Sequence, residues 1–258
     1  MTTHCSVESG VGSILIDRPD VKNAINPETL ESMRSDLRTV VGQGARALVL
    51  GGKGGFCAGA DLALVKQALQ GDAASVLGPM VDELHGFIRE LRELPIPVVA
   101  ALEGPAVGAG MGLALSADVR VAGRSTVLIP GYFGIGTSPD GGVSYFLTRA
   151  LGGARAMSLI LQNSPLRAVQ LEELGLVEEI VEDGAALQAA TDLAARLAGA
   201  PPAALVYTRG LIDRATSQVM DTHLDDERAG VAALWTARDF TEGVTAFLER
   251  RTPEFTGE

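Results

Sequence analysis

The chain is poor in cysteine, in positive charge, in aromatic residues and in long apolar runs. Among its 258 residues only Cys5 and Cys57 carry thiols, too few for a disulfide framework, and such sparing use suits a reducing cytosol. Lys and Arg number 21 against 32 Asp and Glu, a balance of −11. That argues against a general phosphate-backbone binder, which needs a basic face. The longest uncharged stretches, 104–117 and 125–139, are too short and too rich in glycine and proline to span a bilayer. Residues 1–10 show neither a basic nor an apolar leader region, so a cytoplasmic protein with no membrane partner is expected. Aromatics stand at 4%, yet hydrophobic residues reach 47%, far too many for a disordered chain and enough for a sizeable core.

The first part of the chain alternates short β-branched runs with helical patterns. Residues 13–17, 46–51, 97–102 and 119–122 read as strands. Asn26-Pro27-Glu28 reads as a helix start, with an N-cap side chain, proline at the first helical position and an acid in the first turn. Leu30, Met33 and Leu37 come next at helical spacing, and Val76, Met80, Leu84, Ile88 and Leu91 mark a second amphipathic helix that Pro95 stops. This alternation predicts an α/β core with parallel strands. Beyond about residue 184 the pattern is helical only, over 185–197, 205–212, 221–235 and 240–250.

Two glycine-dense segments, 51–62 and 103–112, each follow a strand and precede a helix. Neither has the order of a P-loop, because Lys53 is followed by glycine. The glycines at 108, 110 and 112 miss the GxGxxG spacing of dinucleotide folds. One physical reading is an oxyanion site, since a helix N-terminus offers unpaired N–H groups and a favourable dipole, and glycine admits close approach. The other is that the glycines serve tight turns and helix packing.

These residues resemble a known family. Phe56-Cys57-Ala58-Gly59-Ala60-Asp61-Leu62 is similar to the F-[SC]-A-G-x-D-[LI] motif of the crotonase superfamily, the enoyl-CoA hydratase/isomerase family. Arg18-Pro19 with Asn23-Ala24-Ile25, the 104–112 loop, Gly175-Leu176-Val177 and the ending Glu242-Gly243, Ala246-Phe247, Arg250-Arg251-Thr252-Pro253 resemble its other motifs in order. The resemblance implies an α/β fold with a crotonase-like ββα spiral core over 1–195 and a C-terminal helical trimerisation region over 196–258, assembled as a homotrimer or a dimer of trimers. It implies an acyl-CoA substrate, with coenzyme A arriving as part of that substrate and no further cofactor. The backbone N–H groups of Ala60 and Ala109 match the oxyanion donors. Ala58, Asp61 and Leu62 fall where the family touches adenine and pantetheine, Lys22 near its phosphate contact, and Phe247 and Arg250 where a neighbour's CoA is reached. An RNA-binding role, seen in some relatives, sits badly with the charge.

The chain departs from the family's hydratases at both carboxylate positions, which here carry Gly112 and, less directly, Gly131. Hydration by two glutamates is therefore doubtful, because glycine transfers no proton. Asp140, in Ser138-Pro139-Asp140-Gly141-Gly142, is the remaining acid, either a general acid/base or an N-cap of the next helix. Its context resembles family isomerases, in which one aspartate moves a proton between carbons. The stretch 135–163 also resembles 4-chlorobenzoyl-CoA dehalogenase, which would make Asp140 a nucleophile and His85 the base, although the tryptophan expected near Pro130 is absent. His85 otherwise reads as a half-buried packing residue, and Cys57 as a small buried one. His4 and His223 lack partners at metal-ligand spacing, so no metal site is expected. Double-bond isomerisation with Asp140 as acid/base is the leading expectation. The alternatives are dehalogenase-like hydrolysis, hydration by a non-standard acid/base set, and acyl-CoA binding without catalysis.

Overall fold

A computed structural model describes residues 2–257. The chain opens with a hairpin of β1 (Thr3–Glu8) and β2 (Val11–Ile16). Ser9 and Gly10 both take positive φ at its turn, the geometry that lets a two-residue loop follow the twist of its strands. Next come α1 (Pro27–Gly42), β3 (Ala47–Gly52), α2 (Leu62–Ala68) and α3 (Ala73–Glu93). The middle of the chain supplies β4 (Val98–Leu102), β5 (Pro105–Val107), α4 (Ala109–Ser116), β6 (Val119–Gly123) and β7 (Val127–Ile129). After them stand α5 (Val143–Leu151), α6 (Gly153–Leu161), β8 (Leu166–Arg167), α7 (Ala168–Glu173) and β9 (Glu179–Val181). Four helices close the chain: α8 (Ala186–Leu197), α9 (Pro202–Arg214), α10 (Met220–Leu234) and α11 (Arg238–Glu249).

The six-stranded sheet runs β1-β2-β3-β4-β6-β9, parallel from β2 onward. A smaller sheet, β5-β7-β8, lies beside it, and the bridges Cys57↔Ala106 and Ile25↔Ala60 continue its direction outward. Successive units thus place one strand in the large sheet, a second extended segment in the small layer, and then a helix. This is the ββα spiral that the motifs imply.

Strand alternation fixes what covers each face. Leu48 and Leu50 of β3 join Ile14, Ile16, Ala100 and Leu102 against α1, α3 and α4. Ala47 and Val49 join Val99, Ala101 and Val121 on the opposite face, where Ala190 and Ala194 of α8 close over them. The alanines of α8 let that helix lie close to the sheet. Every residue of α4 is buried, as a sequence apolar on every side apart from its final serine demands.

The elements expected from sequence recur with shifts of a few residues at their ends. Asn26 caps α1 as expected, its Oδ1 accepting from Thr29 N at 2.9 Å. Sequence pattern alone does not reveal β1, whose mostly polar residues pair on one side only, nor the two- and three-residue strands β5, β7, β8 and β9.

Arg209 of α9 ties the C-terminal helices to the core. Buried at 7% exposure, it donates to both carboxylate oxygens of Asp118, at 2.9 and 2.6 Å, and to the carbonyls of Arg92, Leu94 and Ile96. Beyond α11 the chain turns back, and Thr256 N and Gly257 N donate to Asp239 at 2.8 and 2.9 Å. Among the described residues, no helix is long and apolar enough to cross a membrane.

Candidate active site

The two glycine-rich loops zip together through their backbones. Phe56 N donates to Glu103 O at 2.8 Å, Cys57 N to Pro105 O at 3.4 Å, and Val107 N to Cys57 O at 3.1 Å. Glycine is required where they touch: a Cβ on Gly110 would stand 2.2 Å from Cys57 O, and one on Gly59 (φ +89°) 2.4 Å from Val107 O and 3.6 Å from Ala109 N. Ala60 follows Gly59, and Ala109 opens α4. Neither alanine's N–H makes a hydrogen bond among the described residues. Two unpaired donors therefore sit on adjoining loops, one of them at the positive end of a helix. Cys57 packs beneath them with no exposed surface. Its Sγ accepts from Gly59 N at 3.4 Å, and burial pushes the thiol up to about 12, so it stays protonated and unreactive.

The first loop is also clamped from the N-terminal side. Asn23, buried at φ +56°, donates to Gly55 O at 2.6 Å and Lys53 O at 3.1 Å and accepts from Arg18 N at 2.8 Å. Lys22 O receives Ala58 N at 3.0 Å, and the Lys22 side chain borders a cavity of about 260 Å³ with Pro19, Lys53, Gly54, Phe56 and Pro105. Asp61 caps α2, accepting from Ala63 N at 3.1 Å, and pairs with Arg18 at 3.0 Å. Burial raises this carboxyl, but the Arg18 hydrogen bond, the Ala63 and Leu64 N–H groups and the Arg18 charge outweigh it and hold the group below the usual range. Leu62 beside it is 61% exposed. Lys22, Ala58, Ala60, Asp61 and Leu62 thus gather around one loop. Phe247 and Arg250 do not join them; they lie on and just after α11, where Phe247 is 81% exposed and borders an apolar cavity of about 400 Å³ with Phe240, Val244, Leu248 and Phe255.

Asp140 stands on the other side of Ala109. The turn 138–142 packs so closely that a Cβ on Gly141 would be 3.6 Å from Ala109 Cα. It also explains Gly112: a Cβ there would stand 2.3 Å from Gly141 O. The Asp140 turn therefore fills the space that a side chain at 112 would need. Asp140 does not cap the following helix by its side chain; the cap position of α5 belongs to Gly142. Instead Tyr132, only 5% exposed, donates its hydroxyl to Asp140 Oδ1 at 2.8 Å, with the Asp140 carbonyl at 3.1 Å. Burial first, then the Asp140 charge, push the Tyr132 phenol well above its ordinary value.

His85 of α3 reaches the same turn from the far side. Its Nε2 accepts from Gly141 N at 3.2 Å, and it borders a cavity of about 380 Å³ with Arg89, Gly142, Tyr145 and Phe146. That bond requires an unprotonated Nε2. Tyr132 carries no motif that would single it out in the sequence, although it is one of only three tyrosines and lies two residues from the position where a tryptophan is expected. Among the described residues, no group of three or more His, Cys, Asp or Glu side chains is arranged to hold a metal ion.

Two backbone donors on adjoining loops thus stand next to the turn that carries Asp140, and the chain's relatives assign the fold to a family. Residues 6–258 match the model of the enoyl-CoA hydratase/isomerase family, and the chain belongs to that family, within the crotonase superfamily, as an enzyme. It is 37% identical over 255 residues to the 1,2-epoxyphenylacetyl-CoA isomerase of Escherichia coli K12, covering 98% of this chain and 97% of that protein. It is 34% identical to a probable enoyl-CoA hydratase of Rhodobacter capsulatus, over 99% of this chain and 98% of the other. Among solved structures, a putative enoyl-CoA hydratase/isomerase from Mycobacterium abscessus superposes with a TM-score of 0.92 at 33% identity, covering 99% of this chain and all of that one. An enoyl-CoA hydratase from Polaromonas sp. JS666 gives 0.93, also at 33% identity, covering 98% of this chain and 99% of that one.

Proposed function

We propose that this enzyme shifts a carbon–carbon double bond in an acyl-CoA thioester, with Asp140 as the single acid/base. The thioester oxygen accepts from Ala60 N–H and Ala109 N–H, which lowers the cost of the enolate formed when a proton leaves the carbon next to the carbonyl. Asp140 takes that proton and returns it two carbons further along, so one carboxylate completes the cycle. The observation that carries the reading is the Asp140 turn seated against both Ala109 and Gly112. This packing seats the turn that carries Asp140 beside Ala109 and leaves no room for a side chain at 112. The bond from Gly141 N occupies the lone pair of His85 Nε2, which favours isomerisation over hydrolysis with His85 as base.

In this reading Lys22, Ala58, Asp61 and Leu62 border the CoA path in the core, residues 1–195, and residues 196–258 form the assembling region. The exposed apolar side chains Phe240, Val244, Phe247 and Leu248 of α11 support a homotrimer or dimer of trimers, with Phe247 and Arg250 serving a neighbour's CoA. A cytoplasmic setting agrees with the two free thiols.

The test is mass spectrometry of a mixed panel of 2-enoyl, 3-enoyl and 4-halobenzoyl thioesters incubated with the protein in D₂O. Deuterium uptake with a moved double bond is the expected result. Halide loss without deuterium uptake would transfer the assignment to a nucleophilic Asp140, and an unchanged panel would leave a binding protein.

A further inference from the structure

We infer that Tyr132 is a positioning residue for Asp140, aiming the carboxylate at the substrate by holding one of its oxygens; the inference rests on the acid/base reading above. The hydroxyl lies within bonding distance of two acceptors of the same residue, Oδ1 at 2.8 Å and the backbone carbonyl at 3.1 Å. A donor bridging both fixes the side-chain torsion of Asp140 and leaves Oδ2 as the oxygen for proton transfer. The phenol is itself held in place. Gly131 N donates to Asn163 Oδ1 at 2.6 Å. Ile135 N and Thr137 N both donate to Tyr132 O, at 3.1 and 3.2 Å. The ring rests against Gly108, where a Cβ would come within 3.7 Å of Tyr132 Cζ. On the opposite side, His85 Nε2 takes Gly141 N–H. The turn is therefore gripped from both flanks, by the phenol at Asp140 and by the imidazole at Gly141.

Asp140 and His85 are the titratable groups that this packing brings to the turn, Asp140 in direct contact with the phenol and His85 one residue further on. A buried hydroxyl with such a neighbour has one evident use, since it satisfies the carboxylate while the ring excludes water. Loss of the hydroxyl leaves the carboxylate free to rotate away from the reacting carbon, a fault in the chemical step rather than in CoA binding.

Two measurements test this. Tyr132→Phe keeps the ring, so kcat for 3-enoyl-CoA isomerisation is expected to fall about ten- to a hundredfold, the span of a lost hydrogen bond to a charged group, with KM unchanged within a factor of about two. An unchanged kcat, or a loss confined to KM, would overturn the inference. The second readout needs no turnover. With tyrosine labelled at ¹³Cζ, the three tyrosines are separated by the spectrum of Tyr132→Phe. At neutral pH the Tyr132 ¹³Cζ shift should differ between Asp140→Asn and the wild type, because the hydroxyl loses a charged acceptor at 2.8 Å. An identical shift in both proteins would show that phenol and carboxylate are not coupled. Retained isomerisation in Asp140→Asn would instead sink the acid/base reading, an outcome distinct from either of these.

Discussion

The loops that meet at Ala60 and Ala109 and the segment from 130 to 142 lie side by side but are built on opposite plans. The loops place backbone at the site: their ladder from Phe56–Glu103 to Val107–Cys57 is main chain to main chain, Gly110 is needed for closeness, and Gly59 for closeness and for its φ of +89°. The 130–142 segment places side chains there, a phenol on a carboxylate with an imidazole behind the turn. In the proposed reading, backbone donors suit any thioester, because they address only its carbonyl oxygen. Side chains decide the fate of the activated thioester, because proton transfer depends on which acid stands where. One fold can in this way keep its activation step and change its reaction through a few residues.

The sharpest way to break the comparison is Asp140→Asn. It should cut isomerisation by about 10²–10⁴-fold, the contribution of a positioned acid/base, and leave KM nearly unchanged in steady-state assays with 3-enoyl-CoA. Gly59→Ala attacks the other region. Its methyl cannot fit 2.4 Å from Val107 O, so the loop must shift and misplace the Ala60 donor, and kcat should drop about 10²–10³-fold. Equal tolerance of both substitutions would erase the distinction.

Arg209→Met sharpens it from outside. The variant leaves Asp118 and three carbonyls short of a buried donor. Asp118 keeps Arg92 and Val98 N, so the cost belongs near about 3 kcal/mol, the low end for a broken buried pair. Urea denaturation should record that loss while kcat of the folded protein holds.

The smallest effect is expected at Glu242, whose carboxylate takes Arg251 Nη1 and Nη2 at 2.6 and 2.8 Å and Glu254 N at 2.8 Å. The Arg251 hydrogen bonds, then the Glu254 N–H, lower the group to about 2. A carboxyl held lower in the folded state stabilises it above the ordinary glutamate range and loses that contribution as pH falls toward 2. Amide exchange in residues 251–257 should therefore quicken as pH drops through this window, after correction for intrinsic rates, and Glu242→Gln should flatten the response.

Much of the architecture is legible in the chain because it rests on local signals. Asn26-Pro27-Glu28 starts α1, the apolar stripe through Leu84 and Leu91 makes α3, and the glycine loops announce themselves by composition. The hairpin strand β1 is hidden because Thr3 to Glu8 shows no clean alternation, and β5, β7 and β8 because two or three residues carry no period. Asp140 stands out as an acid among glycines. Its partner Tyr132, eight residues away, does not, because the bond depends on how the turn after β7 folds back over Gly108. Gly112 is visible as a missing glutamate, yet the reason for it, the carbonyl of Gly141, exists only in three dimensions.

The most direct test of the division between backbone activation and side-chain chemistry is infrared difference spectroscopy of a ¹³C=O-labelled enoyl-CoA bound to Asp140→Asn. Donors at Ala60 and Ala109 should lower the carbonyl stretch in this variant as far as in the wild type, although the variant no longer moves the double bond. A carbonyl stretch at the free-thioester frequency in the Asp140→Asn complex would contradict the account, because activation would then depend on the carboxylate and not on the two loops.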